Sequence, residues 1–431
     1  ASTELIRKVY KEYGDRFAIA GIGGVFTPEQ AYAKIRSGSS LVMFISSLMY
    51  RGPQQITVLK RGLAELLKRD GFDRDGFAVR ACDPLRFLRY FLMANYVIKN
   101  ERGDSVVRED EIYDWFVAKD NAALCDYANK PFEFVRKVIR NVEHYLAFAN
   151  GLGNDGKPSL AMDSLKRLAG GAFSLHFVLL LAAANFPKPL FDHFVAQLES
   201  FLFYYIFTKT PTKDLERSFS QWADELRAIA ETTDPVKQKV QLNTFVADRF
   251  EKNMAGKSQE LADALKRFTL YSMQQYRTRY LLARLTQHVD MAFSGLKVPG
   301  SLEPFTNLEI EHILPNKPED DLRTKWTTDN PGMVYDDYKN RLGNLTLLEK
   351  PINIVAGNDF YTAKQAEYGK SGNYLTRSLV ALTEVGQNTS ISRINAKLEA
   401  FPAWNAASIE KRHALLIALA QEVWKTTPAD V

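Results

Sequence analysis

Residues 307–320 read NLEIEHILPNKPED, and this stretch decides how the C-terminal part of the chain is interpreted. Glu311 and His312 are adjacent in a short apolar run that a proline ends. Neighbouring side chains of a strand point to opposite sides, but at a strand end or a bulge both can approach one site. A carboxylate beside an imidazole supplies a hard metal ligand and a general base. The stretch therefore predicts a strand whose end carries reactive side chains.

A second stretch, residues 340–353, reads NRLGNLTLLEKPIN. Asn344 and Asn353 bracket the strand-like run LTLL, and Gly343 is expected at a turn. Asparagine offers a neutral oxygen to Mg²⁺ or an amide that fixes a histidine. Phosphodiester hydrolysis needs these parts, because a metal neutralises charge on oxygen and a base deprotonates water. Each element alone is more typical of a structural histidine or an ordinary turn, so only the combination indicates a nuclease.

The order EHILP, RLGNLTLL, Asn353, GNDFYTAK and YGKS resembles the HNH (ββα-metal) nucleases. Over residues 307–424 it resembles the C-terminal DUF1524 domain of GmrSD-type, modification-dependent restriction enzymes. The resemblance implies a metal-dependent endonuclease, with Mg²⁺ or Mn²⁺ as the ion and DNA as the substrate. It also implies a place in a bacterial restriction or anti-phage system.

The resemblance assigns roles position by position. His312 matches the histidine that activates water, and Glu311 stands where an aspartate metal ligand is usual. Asn344 matches the asparagine that steadies the catalytic histidine. Asn353 matches the metal ligand carried by the helix that follows the second strand.

Residues around and beyond the second strand are candidates for contacts with phosphate. Asn358 and Lys364 fit the downstream motif, although a helix cap and a solvated lysine are equally good interpretations. Arg341 belongs to a basic group that we expect to follow a DNA backbone, with binding that weakens steeply as the salt concentration rises. The other members of the group are Lys317, Arg323, Lys325, Lys339, Lys350, Lys364 and Lys370.

The long middle region predicts helices. Segments such as residues 131–151 and 189–207 space apolar residues at three and four positions, which is typical of helices with a buried face. The region resembles the helical section of DUF262–DUF1524 proteins. We predict a mainly α chain: a small βα layer in residues 1–74, a large helical array in residues 75–295 and an HNH-like ββα-metal domain with C-terminal helices in residues 296–431.

A nucleotide requirement does not carry over to this chain. The DUF262 domain that handles nucleotides in the related proteins has no counterpart in residues 1–80. A separate or missing N-terminal nucleotide-handling domain is therefore a second candidate partner, in addition to DNA.

Residues 2–72 resemble the last two βα units of a class 2 (quinone-linked) dihydroorotate dehydrogenase, through STELIRKVYK, IAGIGGV, AYAKIRSGSSLV and LAELLKRDGF. The resemblance places Gly23, Gly24 and Ser46 where that family binds the phosphate of FMN, and it departs at Ile45, where tyrosine is usual. Two βα units cannot close an eight-stranded barrel. We therefore expect no complete dehydrogenase and no bound FMN, and favour a structural βα layer that covers the helical array.

Local signals in this N-terminal segment predict its elements. Residues 17–25 and 40–50, FAIAGIGGV and SLVMFISSLMY, read as two buried strands. The helix between them has Thr27 and Pro28 at its start and Gly38 at its end.

Composition excludes several classes of protein. The 431 residues contain 56 Lys and Arg against 51 Asp and Glu, and the net charge of +5 is too mild to indicate a polyanionic partner by itself. Two cysteines cannot form a disulfide scaffold or a four-cysteine zinc site, which favours a reducing compartment. Residues 172–186 are apolar but too short to span a membrane, so they predict a buried helix. We expect a cytoplasmic protein without a membrane partner.

Two alternatives to the nuclease stay open from the sequence. The first is a catalytically silent module that binds DNA or a protein partner through its helical array. The second is a remnant of a flavin-type oxidoreductase in the N-terminal segment.

Overall fold

The computed structural model describes residues 2–13, 19–52, 54–70, 83–98 and 106–429. The chain divides into two compact units, Ala1–Val142 and Glu143–Val431. Both are built mainly from helices, which confirms the predicted mainly α class. The domain boundary predicted at 74/75 lies outside the described residues, and the one at 295/296 stays a prediction.

The first unit contains a small parallel sheet with helices beside it. Strand β1 (Ala20–Ile22) pairs with strand β2 (Leu41–Met43). Thr27 caps the intervening helix in a capping box with Gln30, and Gly38 follows the helix end with a φ of 107°, as the sequence predicts. The helices are α1 (Ser2–Tyr13), α2 (Pro28–Arg36), α3 (Ser46–Arg51), α4 (Gln54–Arg69), α5 (Pro84–Asn95), α6 (Ile112–Val117), α7 (Lys119–Cys125) and α8 (Pro131–Ala149), which continues into the second unit.

The prediction of a long strand over residues 40–50 is wrong beyond Met43. The chain turns into helix α3 at Ser46. Strand β1 is only three residues long, so the residues after Met43 have no neighbouring strand in the described part of the chain to complete their backbone hydrogen bonds. A short apolar run does not by itself distinguish a strand from a buried helix.

The second unit holds the remaining helices and one antiparallel pair of strands, β3 (Glu309–His312) and β4 (Leu345–Leu348). A π-helical turn, Val246–Glu251, joins two of its helices. The helices are α9 (Leu160–Ala169), α10 (Phe177–Ala182), α11 (Lys188–Phe207), α12 (Lys213–Ala230), α13 (Pro235–Phe245), α14 (Lys252–Lys266), α15 (Gln275–Ser294), α16 (Glu303–Thr306), α17 (Asp320–Asp329), α18 (Tyr335–Lys339), α19 (Lys350–Ala356), α20 (Tyr361–Tyr368), α21 (Tyr374–Arg377), α22 (Ser390–Asn395) and α23 (Ala406–Val423).

Helix α11 is the centre of the second unit. It is apolar almost all round, as a helix surrounded by others requires. Its one buried carboxylate, Glu199, accepts hydrogen bonds from Ser164 Oγ (2.7 Å) and from Tyr280 OH, and pairs with Arg284. Trp424 Nε1 donates to the same Tyr280 hydroxyl at 3.0 Å. This polar network ties helices α9, α15 and the end of α23 to the core helix.

Most of residues 172–186 are buried, as predicted, but Ala172 and Asn185 are exposed and the segment is not one helix. Helix α10 covers only Phe177–Ala182, and turns precede and follow it. The apolar composition correctly indicates burial, whereas the length of the helix depends on packing against α12.

The free energy of unfolding of the second unit should depend on pH through Asp290. Its carboxylate on α15 accepts a hydrogen bond from the backbone N–H of Tyr374 at 2.7 Å, and burial raises its pKa from 3.8 to about 6. A raised pKa means that folding favours the protonated form, so this contribution to stability is present below pH 4 and is lost as the pH rises through 6.

We therefore expect Asp290→Asn, which keeps the acceptor oxygen without the charge, to gain stability relative to the wild type as the pH rises from 4 to 7. The gain is bounded by about 3 kcal/mol, since one pKa unit corresponds to about 1.4 kcal/mol. Urea unfolding of both proteins across this range measures it. A difference between the two proteins that stays constant from pH 4 to pH 7 would contradict the assignment.

Candidate active site

The candidate site is built on the strand pair of the second unit. In the antiparallel register Glu311 lies opposite Thr346 and His312 opposite Leu345. Beyond the strand, the backbone N–H of Ile313 donates to Asn344 O at 3.0 Å. Helix α19 follows β4 almost at once and packs against β3, so the local order is strand, strand, helix.

Asn344 fixes the chain on both sides of the site. Its side chain is fully buried, with Oδ1 accepting from Leu314 N (2.7 Å) and Trp404 Nε1 (2.8 Å). Its Nδ2 donates to Leu314 O (2.9 Å) and Lys339 O (2.7 Å). These four bonds use the two donors and two lone pairs of the amide. Asn344 thus holds the backbone just after His312, and it makes no bond to the imidazole itself.

Asn340 is the residue that contacts the histidine, and sequence reasoning missed it. His312 Nε2 lies 3.2 Å from Asn340 Oδ1. Because a carboxamide oxygen only accepts, Nε2 carries the proton and Nδ1 keeps the free lone pair. The imidazole is half-buried, and burial lowers its pKa below 6.5 while the Asn340 bond opposes that shift. His312 is therefore an unprotonated base at neutral pH.

Glu311 lies on the inner side of β3, away from solvent. It is 7% exposed, and its Oε1 accepts from Lys364 Nζ and from Tyr368 OH, both at 2.7 Å. Lys364 and Tyr368 are four residues apart on α20, which places them on one face of that helix. Burial raises the pKa of the Tyr368 hydroxyl well above 10, so it acts as a neutral donor.

The predicted phosphate contact by Lys364 is corrected by this arrangement. The lysine is 1% exposed, and its ammonium also donates to His312 O at 2.9 Å. Burial lowers its pKa, whereas the Glu311 carboxylate raises it. The ammonium is buried and hydrogen-bonded to a carboxylate and a strand carbonyl, so it is not an exposed cation for phosphate contact. Lys364 fixes the end of β3 instead.

The other predicted residues have diverse surroundings. Asn353 is half-buried on α19, and Asn358 is exposed just after that helix. Arg341 pairs with Glu410, donates from Nε to Asp337 O at 3.2 Å and lies over the ring of Tyr338. Its guanidinium is committed to contacts within the protein.

Most of the predicted basic group is paired in the same way. Beside Lys364 and Arg341, four members form ion pairs: Arg323 and Lys339 with Asp336, Lys325 with Asp329, and Lys370 with Glu367. Lys317 and Lys350 are exposed, and neither forms an ion pair with a described residue. The sequence identifies the cationic residues, but it does not show which of them form ion pairs with acidic residues in the folded protein.

Position 343 requires glycine because helix α23 packs directly against it, and not because the residue lies in a turn with positive φ. It lies in a short 3₁₀ turn, Leu342–Asn344, against helix α23. A Cβ at this position would lie 2.8 Å from the Cβ of His413, 2.9 Å from the backbone nitrogen of His413 and closer still to the carbonyl oxygen of Ile409. Only glycine lets the helix approach this near to the site.

Helix α23 also supplies a buried cation behind the strands. Arg412 donates to Gly343 O (2.8 Å) and Leu345 O (2.7 Å), and burial lowers its pKa to about 10. With Asn344 and Trp404 it secures the start of β4. These supporting residues lie up to a hundred positions from His312, and nothing in their local sequence marks them.

Two side chains of the candidate site carry oxygen donors of the chemical type that binds a divalent cation. Within the described part of the chain, no three His, Cys, Asp or Glu side chains come close enough to hold a metal. Glu311 keeps Oε2, because the ion pair and the tyrosine occupy Oε1. With Asn353 on the helix packed against β3, the available ligands are a carboxylate oxygen and an amide oxygen, the type that Mg²⁺ and Mn²⁺ prefer.

The N-terminal residues that the resemblance assigns to phosphate binding lie just after strand β1 and at the start of helix α3 in the first unit. Gly23 and Gly24 have φ values of 81° and 63°, with open space where a side chain would project. Ser46 begins α3, and the Oγ atom of its buried neighbour Ser47 has no hydrogen-bond partner among the described residues. The FMN assignment itself stays a prediction.

Comparison with known proteins separates the two parts of the chain. Residues 256–419 match the family of GmrSD restriction endonucleases, C-terminal domain. The match includes the strand pair, His312 and helix α20, and it supports a nuclease role in restriction. Residues 1–67 match the dihydroorotate dehydrogenase family. Both resemblances seen in the sequence are thereby confirmed.

The relatives of the N-terminal segment are quinone-linked dihydroorotate dehydrogenases. That of Nocardia farcinica is 45% identical over 71 residues, which are 16% of this chain and 19% of the relative. That of Deinococcus radiodurans is 47% identical over 70 residues, 16% of this chain and 19% of the relative. The chain thus spans about a fifth of the length of the curated relatives that it matches.

None of the described helices combines the length and the apolar character that crossing a membrane requires.

Proposed function

We propose that residues 296–431 form a metal-dependent DNA endonuclease of HNH type that hydrolyses phosphodiester bonds in a bacterial restriction or anti-phage system. The observation that carries the proposal is His312, an unprotonated, oriented base at the end of β3. It lies within the region that matches the GmrSD restriction endonucleases. Histidine is the side chain most often used to take a proton from an attacking nucleophile.

In this mechanism His312 Nδ1 accepts a proton from the attacking water. Asn340 fixes the tautomer and the ring orientation through Nε2, and Asn344 fixes the backbone beyond the histidine. Lys364 holds the carbonyl of His312 and the carboxylate of Glu311 in one place. Glu311 and Asn353 would hold Mg²⁺ or Mn²⁺. Such an ion supplies charge neutralisation to the phosphate oxygens.

DNA is the proposed partner. Lys317 and Lys350 are exposed cations beyond β3 and at the start of α19, and they are candidates for contacts with the phosphate backbone. Since only a few such contacts form, we expect a shallow dependence of binding on salt, with each phosphate contact contributing about one unit of slope.

The test is cleavage of supercoiled plasmid with Mg²⁺ or Mn²⁺. We expect His312→Ala to lower the rate at least about a hundredfold, as loss of a general base does, and EDTA to abolish cutting. His288→Ala is a matched control, because His288 is a half-buried histidine of the same unit whose pKa burial also lowers. It should cut like the wild type.

The substrate panel should include unmodified, methylated and glucosylated DNA. Cutting that survives His312→Ala would exclude the histidine as the base. Absence of cutting on every substrate, repeated with a nucleotide-handling domain supplied separately, would overturn the nuclease proposal.

One observation favours the second candidate, a catalytically silent DNA- or partner-binding module. The Glu311 carboxylate is already neutralised by Lys364, which reduces its attraction for a cation. A silent module would bind DNA equally well before and after His312→Ala and would never nick it. The flavin-type interpretation of the N-terminal segment predicts a yellow protein, whereas we expect a colourless one.

A further inference from the structure

A cavity of about 560 Å³ lies in the second unit, away from the strand pair. The C-terminal end of α11, the residues before α10 and the loop before α15 form its walls. Cavities of this size hold ligands as large as a mononucleotide. Its lining includes two cationic side chains, Arg277 and Lys209, and no carboxylate.

Arg277 is a buried cation without an acidic partner. It is 7% exposed and donates to Leu168 O (3.1 Å), Ala169 O (3.0 Å) and Gln274 Oε1 (3.0 Å), all neutral acceptors. No carboxylate among the described residues pairs with it. A buried charge is costly unless an opposite charge compensates it. Two of its five N–H donors make no hydrogen bond to a described residue, so the guanidinium can still bind an anion.

Lys209 reaches the same cavity from a backbone position that usually takes glycine. It follows the end of α11 in the left-handed region, with a φ of 56°. This conformation costs a residue with a side chain about 1 kcal/mol relative to glycine. The lysine is exposed, so packing does not offset that cost. Lys209 lines the same cavity as Arg277, and it forms no ion pair with a described residue.

The remaining walls suit a flat organic group with polar edges. Phe173 and Tyr205 supply aromatic surface, and Thr210 and Ser272 supply hydroxyls. The Glu260 carboxylate, which acts electrostatically on Tyr205, pairs with Lys257 at 2.8 Å, and Lys257 lies over the Tyr205 ring. Neither of the two lining cations forms an ion pair with a described residue, and none of the lining residues is acidic.

We propose that this cavity binds a nucleotide, with its phosphate on Arg277 and Lys209 and its base against Phe173 and Tyr205. The ligand is either a free nucleotide or one nucleotide of a DNA strand, since both present the same phosphate and base. The proposal does not rest on the nuclease function, because it concerns binding without metal.

The experiment is titration calorimetry on the full chain in EDTA. Its probes are the four 2′-deoxynucleoside 5′-monophosphates, the corresponding nucleosides, and single-stranded DNA of eight nucleotides and mixed sequence. We expect saturable binding of a monophosphate or of the single strand, and at least tenfold weaker binding of nucleosides, because charge-assisted hydrogen bonds are lost. Preference for the monophosphate or for the strand identifies the source of the nucleotide.

Lys209→Gly is the decisive variant. Glycine suits the left-handed backbone, so the melting temperature should stay constant or rise while affinity falls about tenfold with the loss of one charge-assisted contact. Lys237→Gln, which removes an exposed lysine of α13 outside the cavity, should bind like the wild type. Equal affinity for nucleoside and nucleotide, unchanged affinity in Lys209→Gly, or no binding of any probe would overturn the proposal.

Discussion

Replacing Lys364 by methionine should destabilise the protein by about 3–5 kcal/mol, the usual cost of leaving one partner of a buried ion pair alone. In the variant Glu311 would keep only Tyr368 as a donor, in surroundings that exclude water. The end of β3 would also lose the hydrogen bond from Lys364 to His312 O. Denaturation with urea, followed by far-ultraviolet circular dichroism, measures the free energy of unfolding.

Lys370→Met is the matched control, since Lys370 forms an exposed ion pair with Glu367 just after the same helix. Exposed pairs contribute at most about 1 kcal/mol, so this variant should remain near the wild type. The double variant Lys364→Met/Glu311→Leu should recover much of the loss, because it removes the uncompensated charge. Equal stability of the two single methionine variants would show that Lys364 and Glu311 do not form the buried pair.

Gly343→Ala should have the second large effect, a loss of more than about 3 kcal/mol. Inserting a methyl group into a packed interior usually costs 1–3 kcal/mol. Here the new methyl group would meet backbone atoms of Ile409 and His413, which cannot rotate away as a side chain can. Helix α23 would have to move, and with it the contacts from Arg412 to Gly343 O and Leu345 O. Thermal unfolding of the variant tests this directly.

Gly256→Ala is a control whose expected effect on stability is opposite to that of Gly343→Ala. Gly256 lies within α14, and nothing lies within 4 Å of the place where its Cβ would be. Alanine is better than glycine inside a helix by about 1 kcal/mol, so this variant should be slightly more stable than the wild type. If both alanine variants unfold at the same temperature, close packing of α23 is not the reason for glycine at position 343.

The residues of the candidate site illustrate what a sequence pattern reveals. EHILP and GNLTLL are short runs whose apolar residues and adjacent polar residues predict two strands with His312 at a strand end, and the structure has both strands. The partners of these polar residues were not predictable. Asn340 precedes the recognised motif, and Tyr368 resembles any aromatic residue of an amphipathic helix until α20 is placed against β3.

Lys364 shows why the position of a residue in a sequence motif does not establish what the residue does. A lysine in a motif is usually exposed, and phosphate contact is the natural hypothesis for it. Its burial results from the packing of α20 on β3, which brings it to Glu311 across 53 residues. The long middle region is the opposite case, since apolar spacing of three and four residues directly reflects which side of each helix is buried.

The sequence alone predicts the mainly α class, the two strands of the candidate site and both family resemblances, and these predictions are confirmed. These follow from local periodicity and from short motifs, in which neighbouring residues carry the information. The role of His312 as a base stays a proposal. The tertiary structure alone decided which cations are neutralised, why position 343 is glycine, and that Arg277 and Lys209 line one cavity. Charge compensation and close packing depend on residues that are distant in the chain and adjacent only after folding.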